Sequence, residues 1–183
     1  MFQRLALCRA ILLQTSVLLP AQVVRVGSLK PKPNVINGDT LTLTATPSAV
    51  SFQLISKGIA VGSTPVTITT TWSGLSLLSS VAVYAFFLDA TSALSGGTPV
   101  SKIPSSCVLG RDPTGNPTTF TSFMQSNPLG GSGAGLTLYS SSGVLGLVSN
   151  HIDTLSLEIN LTTLPQLPAG TYTGILTLQA QAF

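Results

Sequence analysis

The chain has 183 residues, 44% of them hydrophobic and only 7% charged, against roughly 25% charged in an average soluble domain. That length holds one domain with a sizeable core, and apolar runs this regular exclude an intrinsically disordered chain. The net charge of +3 rests on Arg4, Arg9 and Arg25; beyond them Lys30, Lys32, Lys57, Lys102 and Arg111 are balanced by Asp39, Asp89, Asp112, Asp153 and Glu158, which leaves no basic patch for nucleic acid.

At the N-terminus MFQRLALCR supplies a short basic region and AILLQTSVLLPA an apolar one, the pattern of an export signal. We read residues 1–28 as a signal peptide, with Ala21 and Ser28 as the candidate cleavage positions, neither in a clean A-x-A setting. No run reaches the about 18 uninterrupted apolar residues of a spanning helix, so no membrane span is expected after signal removal. Cys8 precedes the apolar stretch and is therefore not a lipoprotein cysteine. Cys107 is left alone, with no intramolecular disulfide to make. It reads as a buried or incidental thiol rather than a nucleophile. Residues 29–38 form a Pro- and Lys-containing linker, and residues 39–183 the folded domain.

Strand patterns then follow one another. DTLTLTA sets Leu41, Leu43 and Ala45 on one face and threonines on the other, and Pro47 ends it. AVSFQLI aligns Val50, Phe52 and Leu54; Gly58 and Gly62 mark a turn; TPVTITTTW aligns Val66, Ile68 and Trp72. SSVAVYAFFLDA is almost wholly apolar and reads as a central strand with Val81, Val83, Ala85 and Phe87 inward. From Ser92 to Gly135 prolines interrupt the pattern, GRDPTGNP and NPLGGSGAG are loops, and TTFTSFM is an edge strand between them. GLTLYSS resumes strand character. DTLSLEINL and TYTGILTLQAQAF close the chain, with Leu155, Leu157, Ile159 and Leu161, then Tyr172, Leu176, Leu178 and Ala180, inward. The expected fold is all-β: a Greek-key β-sandwich of about seven to nine short strands, without internal repeats.

Two segments carry a family resemblance. TATPSAVSFQL followed by GSTPVTITTTW resembles the opening strands of bacterial immunoglobulin-like modules. LPAGTYTGILTLQA resembles the closing strands of such sandwiches, and is also similar to the ending of spore-coat-U-like and other pilin-type subunits. The resemblance implies an immunoglobulin-like sandwich in which Tyr172 is the tyrosine at the turn into the last strands. It specifies fold more than function.

Catalytic chemistry is sparse. His151 and Asp153 form an H-x-D pair, but the sequence offers little to complete a metal shell, and His151 reads as a solvated loop residue. A Ser-His-Asp triad would have to use His151. The nearest approach to a nucleophile elbow is Ser132 in GGSGAG, which lacks the final glycine. Asp153 and Glu158 read as charges on the polar face of one strand, about 17 Å apart and too far for a glycosidase pair. Asn160 opens an N-L-T sequon. No catalytic, cofactor or metal residue is assigned, and no cofactor is expected.

The sequence therefore points to a non-catalytic, secreted, periplasmic or cell-surface module. The 110–118 and 127–135 loops are its candidate contact surfaces. A second expectation is a fibre or coat subunit that pairs with itself or another envelope protein by strand addition, with Leu41, Leu43 and Ala45 as the donor residues. A third is carbohydrate binding through Trp72, Tyr84 or Tyr139, although core packing suits Trp72 better.

Overall fold

Strands form here where β-branched and aromatic residues alternate with threonine and serine, because such side chains pack well on a pleated surface. The computed structural model describes residues 22–28, 40–74, 80–142 and 149–182. Its strands in chain order are β1 (Gln22–Ser28), β2 (Thr40–Thr46), β3 (Ala49–Phe52), β4 (Ile59–Val61), β5 (Val66–Ser73), β6 (Val81–Phe86) and β7 (Leu94–Gly96). There follow β8 (Ser101–Ile103), β9 (Val108–Arg111), β10 (Thr121–Ser122), β11 (Gly135–Ser141), β12 (Ser149–Asn160) and β13 (Tyr172–Ala182). A single 3-10 turn, Ser105–Cys107, is the only helical element among the described residues.

The strands make two sheets. A 7-stranded sheet runs β11-β6-β13-β1-β3, with β7 on β13 and β8 on β7. A 6-stranded sheet runs β10-β9-β12-β5-β2, with β4 on β12. Pairing is antiparallel except between β1 and β13, which run parallel. Val50, Phe52, Val83 and Leu176 from the first sheet and Ile68, Leu155 and Leu157 from the second share one buried core. The architecture is thus all-β and β-sandwich-like. All the inward sets read from the sequence are buried, from Val50, Phe52 and Leu54 to Tyr172, Leu176, Leu178 and Ala180.

SSVAVYAFFLDA is a strand, and β6 is buried at every position. Its inner face joins the main core, whereas Ala82, Tyr84 and Phe86 form a second cluster with Leu129. That outer cover comes from the 127–135 loop. Gly130 has φ +84°, and a Cβ there would lie 2.2 Å from the Phe86 ring, so only glycine lets the loop approach this closely. Gly131 N–H donates to Phe87 O at 3.0 Å, and Ser105 Oγ donates to Gly133 O at 3.1 Å. NPLGGSGAG is a loop as read, but it is pinned to the sandwich rather than free.

Two expectations change. There are more strands than about seven to nine, because β4, β7, β8 and β10 are only two or three residues long and lie among Gly, Pro and Ser. The signal peptide was drawn through residue 28, yet Gln22–Ser28 is a sheet strand; its Val23, Val24 and Val26 suit a strand as well as they suit the end of a leader. Residues 1–21 and the 29–38 linker lie outside the described residues.

Candidate functional site

Leu41, Leu43 and Ala45, the candidate donor residues, lie on β2. That strand is hydrogen-bonded along its length to β5 of the same chain, from Thr40 opposite Ser73 to Thr46 opposite Thr67. Leu43 is buried in the main core, and Leu41 and Ala45 pack against it. In the other sheet, β1 lies between β13 and β3. It pairs with β13 from Val23–Thr173 to Ser28–Leu178, and with β3 from Gln22–Phe52 to Arg25–Ala49. Without it, both neighbours would present unpaired backbone edges.

Polar groups collect inside one end of the sandwich. β12 continues its inward alternation from Leu157 and Leu155 back to Asp153, which is fully buried. Glu158 takes the opposite parity and faces outward, so the two carboxylates read as sharing a face do not. Five residues of separation puts side chains on opposite faces of a pleated strand. His151 is likewise within β12 rather than in a loop. It stacks on Tyr139 with centroids 3.7 Å apart, and Tyr139 stacks on Trp72 at 6.4 Å. His151 Nε2 lies 2.7 Å from Asp153 Oδ1.

Asp112, at the end of β9, meets this group from the neighbouring loop and is also fully buried. Its Oδ1 accepts from Thr114 N–H at 2.9 Å, Thr114 Oγ1–H at 2.7 Å and Gly115 N–H at 3.1 Å. Its Oδ2 accepts from Thr154 N–H of β12 at 3.2 Å. A Cβ at Gly115 would lie 2.8 Å from both Asp112 Oδ2 and Asp153 Oδ1, so the turn closes over the carboxyls with no room to spare.

The two acids differ in proton affinity. Burial pushes Asp112 up, but the hydrogen bonds from Thr114 and Thr154, with that to Asp153, outweigh it and hold Asp112 below the ordinary carboxylate range. Burial pushes Asp153 up to about 6; the attraction of His151 opposes this, and the charge of Asp112 adds to it. Asp153 Oδ2, Thr70 Oγ1 and Trp72 Nε1 are buried without a hydrogen-bond partner. Among the described residues, no three His, Cys, Asp or Glu side chains are grouped to hold a metal ion. The H-x-D spacing was visible in the sequence. What it hid was Asp112, brought in from about forty residues away by β9–β12 pairing.

The other singled-out residues have structural surroundings. Trp72 is buried rather than presented to a sugar. Tyr172 is fully buried at the start of β13, and its hydroxyl donates to Pro168 O at 2.9 Å. Asn160 Oδ1 accepts from Thr162 N–H at 3.0 Å and Oγ1–H at 2.6 Å, closing a turn at the end of β12. Ser132 bonds Ser126 at 3.0 Å, inside the pinned loop.

Cys107 is buried beside the 3-10 turn, and burial raises its thiol above the usual range despite hydrogen bonds with Ser106 and Thr163. A raised, buried thiol is a poor nucleophile. A thiol-reactive dye added to residues 22–183 is therefore expected to label Cys107 at least about a hundredfold faster in denaturant than in buffer. Equal rates would mean that the turn opens freely.

No known protein family model matches the chain, and no curated protein matches it significantly. Among the described residues, no helix is long and apolar enough to cross a membrane.

Proposed function

We propose that this chain is a non-catalytic, exported structural or surface-interaction module with an immunoglobulin-like Greek-key sandwich, working in the periplasm, at the cell surface or outside the cell. The observation that carries the reading is on and beside β4. Ile59 and Val61 on this short strand, with Ile55 just before the turn that leads into it, expose apolar side chains; among the described residues β4 pairs in its sheet with β12 alone. An apolar strip on a polar, threonine-rich sheet is suited to contact with another protein. The buried polar groups support the same reading, since Asp112 is occupied in bracing its own turn against β12. The resemblance of LPAGTYTGILTLQA to sandwich endings agrees with it.

A second reading, a fibre or coat subunit that assembles by strand donation, is favoured by the place of β1. The strand lies inside the sheet but is joined to β2 only through residues 29–39, so the same slot could take the corresponding strand of a neighbouring copy. Residues 22–28, rather than Leu41, Leu43 and Ala45, would then be donated.

The test is the solution mass of residues 22–183 by light scattering. A monomer with one cooperative melt supports the self-contained module. A ladder of multimers supports strand donation. Hydrolytic turnover abolished by substituting His151 would overturn both.

A further inference from the structure

We propose that His151, Asp153 and Asp112 form a proton-dependent clasp that fastens the 112–117 turn to β12, closed while the group holds its last shared proton and loosened when that proton leaves. The inference concerns the fold itself and stands independently of the function proposed above.

The geometry carries it. Two fully buried carboxyls converge under the same turn, between the β9 end and β12, where Asp112 Oδ2 and Asp153 Oδ1 would each lie 2.8 Å from a Cβ at Gly115. Two like charges so close together cannot both persist without cost, so the pair favours one proton between them. Asp112 is the acceptor, since four donor contacts from Thr114, Gly115 and Thr154 converge on it. Asp153 has a buried Oδ2 without a hydrogen-bond partner, an oxygen that burial favours protonated. Its other oxygen is already engaged by His151.

The surroundings offer no competing charge. β5 contributes Thr70 and Trp72 to this end, β11 contributes Tyr139, and β12 contributes His151. Among the described residues, the charges that act on Asp153 are those of His151 and Asp112. Arg111 sits over the Phe120 ring at 4.9 Å and acts on Glu158. The turn that the clasp holds is otherwise tied by Asp112 N–H to Pro117 O at 2.7 Å and by Asn116 N–H to Leu138 O at 3.0 Å.

The direction follows from linkage. Folding raises the proton affinity of Asp153 from the ordinary 3.8 to about 6. The stabilisation is therefore complete below pH 3.8 and is lost as pH rises through about 6. This contribution makes the protein firmer in mild acid than at neutral or alkaline pH, opposite to what a carboxylate in an ordinary salt bridge would do.

The experiment is urea unfolding of the full-length chain at pH 5 and pH 8, beside the variant Asp153→Asn, whose amide keeps a hydrogen donor at all pH values. The folding equilibrium of the parent is expected to fall about tenfold between the two pH values, whereas that of D153N stays flat. A parent that is more stable at pH 8, or a variant that keeps the parent's slope, overturns the clasp. Should D153N fail to fold, the carboxyl carbon-13 titration of Asp153 in the parent decides. A midpoint near 6, mirrored by the amides of Thr114 and Gly115, supports the clasp, and a midpoint in the ordinary carboxylate range overturns it.

Discussion

A chain that begins at residue 29 is expected to lose most of the stability of the domain, and a peptide of residues 22–28 added in trans is expected to restore it. β1 is an inner strand of its sheet, paired on both sides. Its removal leaves without partners the edge of β13 that faces it from Thr173 to Leu178, and the edge of β3 that faces it from Ala49 to Phe52. Buried backbone groups left without partners cost about 1–3 kcal/mol each, and a whole domain is stable by only about 5–15 kcal/mol. Several such losses consume that margin. Calorimetry of the truncated chain with and without the peptide makes the measurement. Restoration depending on peptide concentration would show that the slot is specific, since a ligand that binds only the folded state raises its melting temperature by mass action. If the truncated chain melts as the longer one does, β1 adds nothing to the sheet.

Replacing Tyr172 by Ala is expected to cost about 3–5 kcal/mol, in the range of other large aromatic truncations. Tyr172→Phe is expected to cost about 1–3 kcal/mol, the penalty for leaving a buried acceptor unmet. The ring is among the largest fully buried side chains, and the hydroxyl ties the 168–172 corner back on itself. The corner is built around it. Gly97 has φ +81°, and a Cβ there would lie 2.5 Å from the Tyr172 hydroxyl. Gly170 has φ +145° and approaches Gly97 so closely that a Cβ would lie 2.7 Å from its Cα. The polar tip is held where the chain turns into β13, as in the tyrosine corners of sandwich domains. Urea melts of both variants measure the two costs. A Tyr172→Phe variant as stable as the parent would show that Pro168 O finds another donor.

Much of the sandwich was legible because period-two alternation reports which face is buried, and it did so wherever a strand was long. β5 and β12 follow the pattern residue by residue, and β13 follows it except at Thr177, which is buried between Leu176 and Leu178. The rest was hidden for distinct physical reasons. The valines of β1 have the character of both a leader's end and a strand, and no local pattern shows their pairing with β3 and β13. β7 and β8 are too short to show a period. Asp153 was misplaced by its chemistry: an acid suggests an outer face, yet its parity with Leu155 and Leu157 already placed it inside. Asp112 lies in GRDPTGNP, which reads correctly as a turn, but no local signal says that the turn folds its carboxyl onto β12.

The parallel contact between β1 and β13 also sets how the molecule would carry tension. Val23 lies opposite Thr173 and Ser28 opposite Leu178. A pull on the chain entering β1 and an opposite pull on the chain leaving β13 would therefore slide these strands past each other along their length. The hydrogen bonds between them would be loaded together instead of one after another, as in a peeled hairpin. Resistance to such a load is a matter of unfolding rate rather than equilibrium stability. The strand that lies between β13 and β3 would thus also be the mechanical fastening of the sheet.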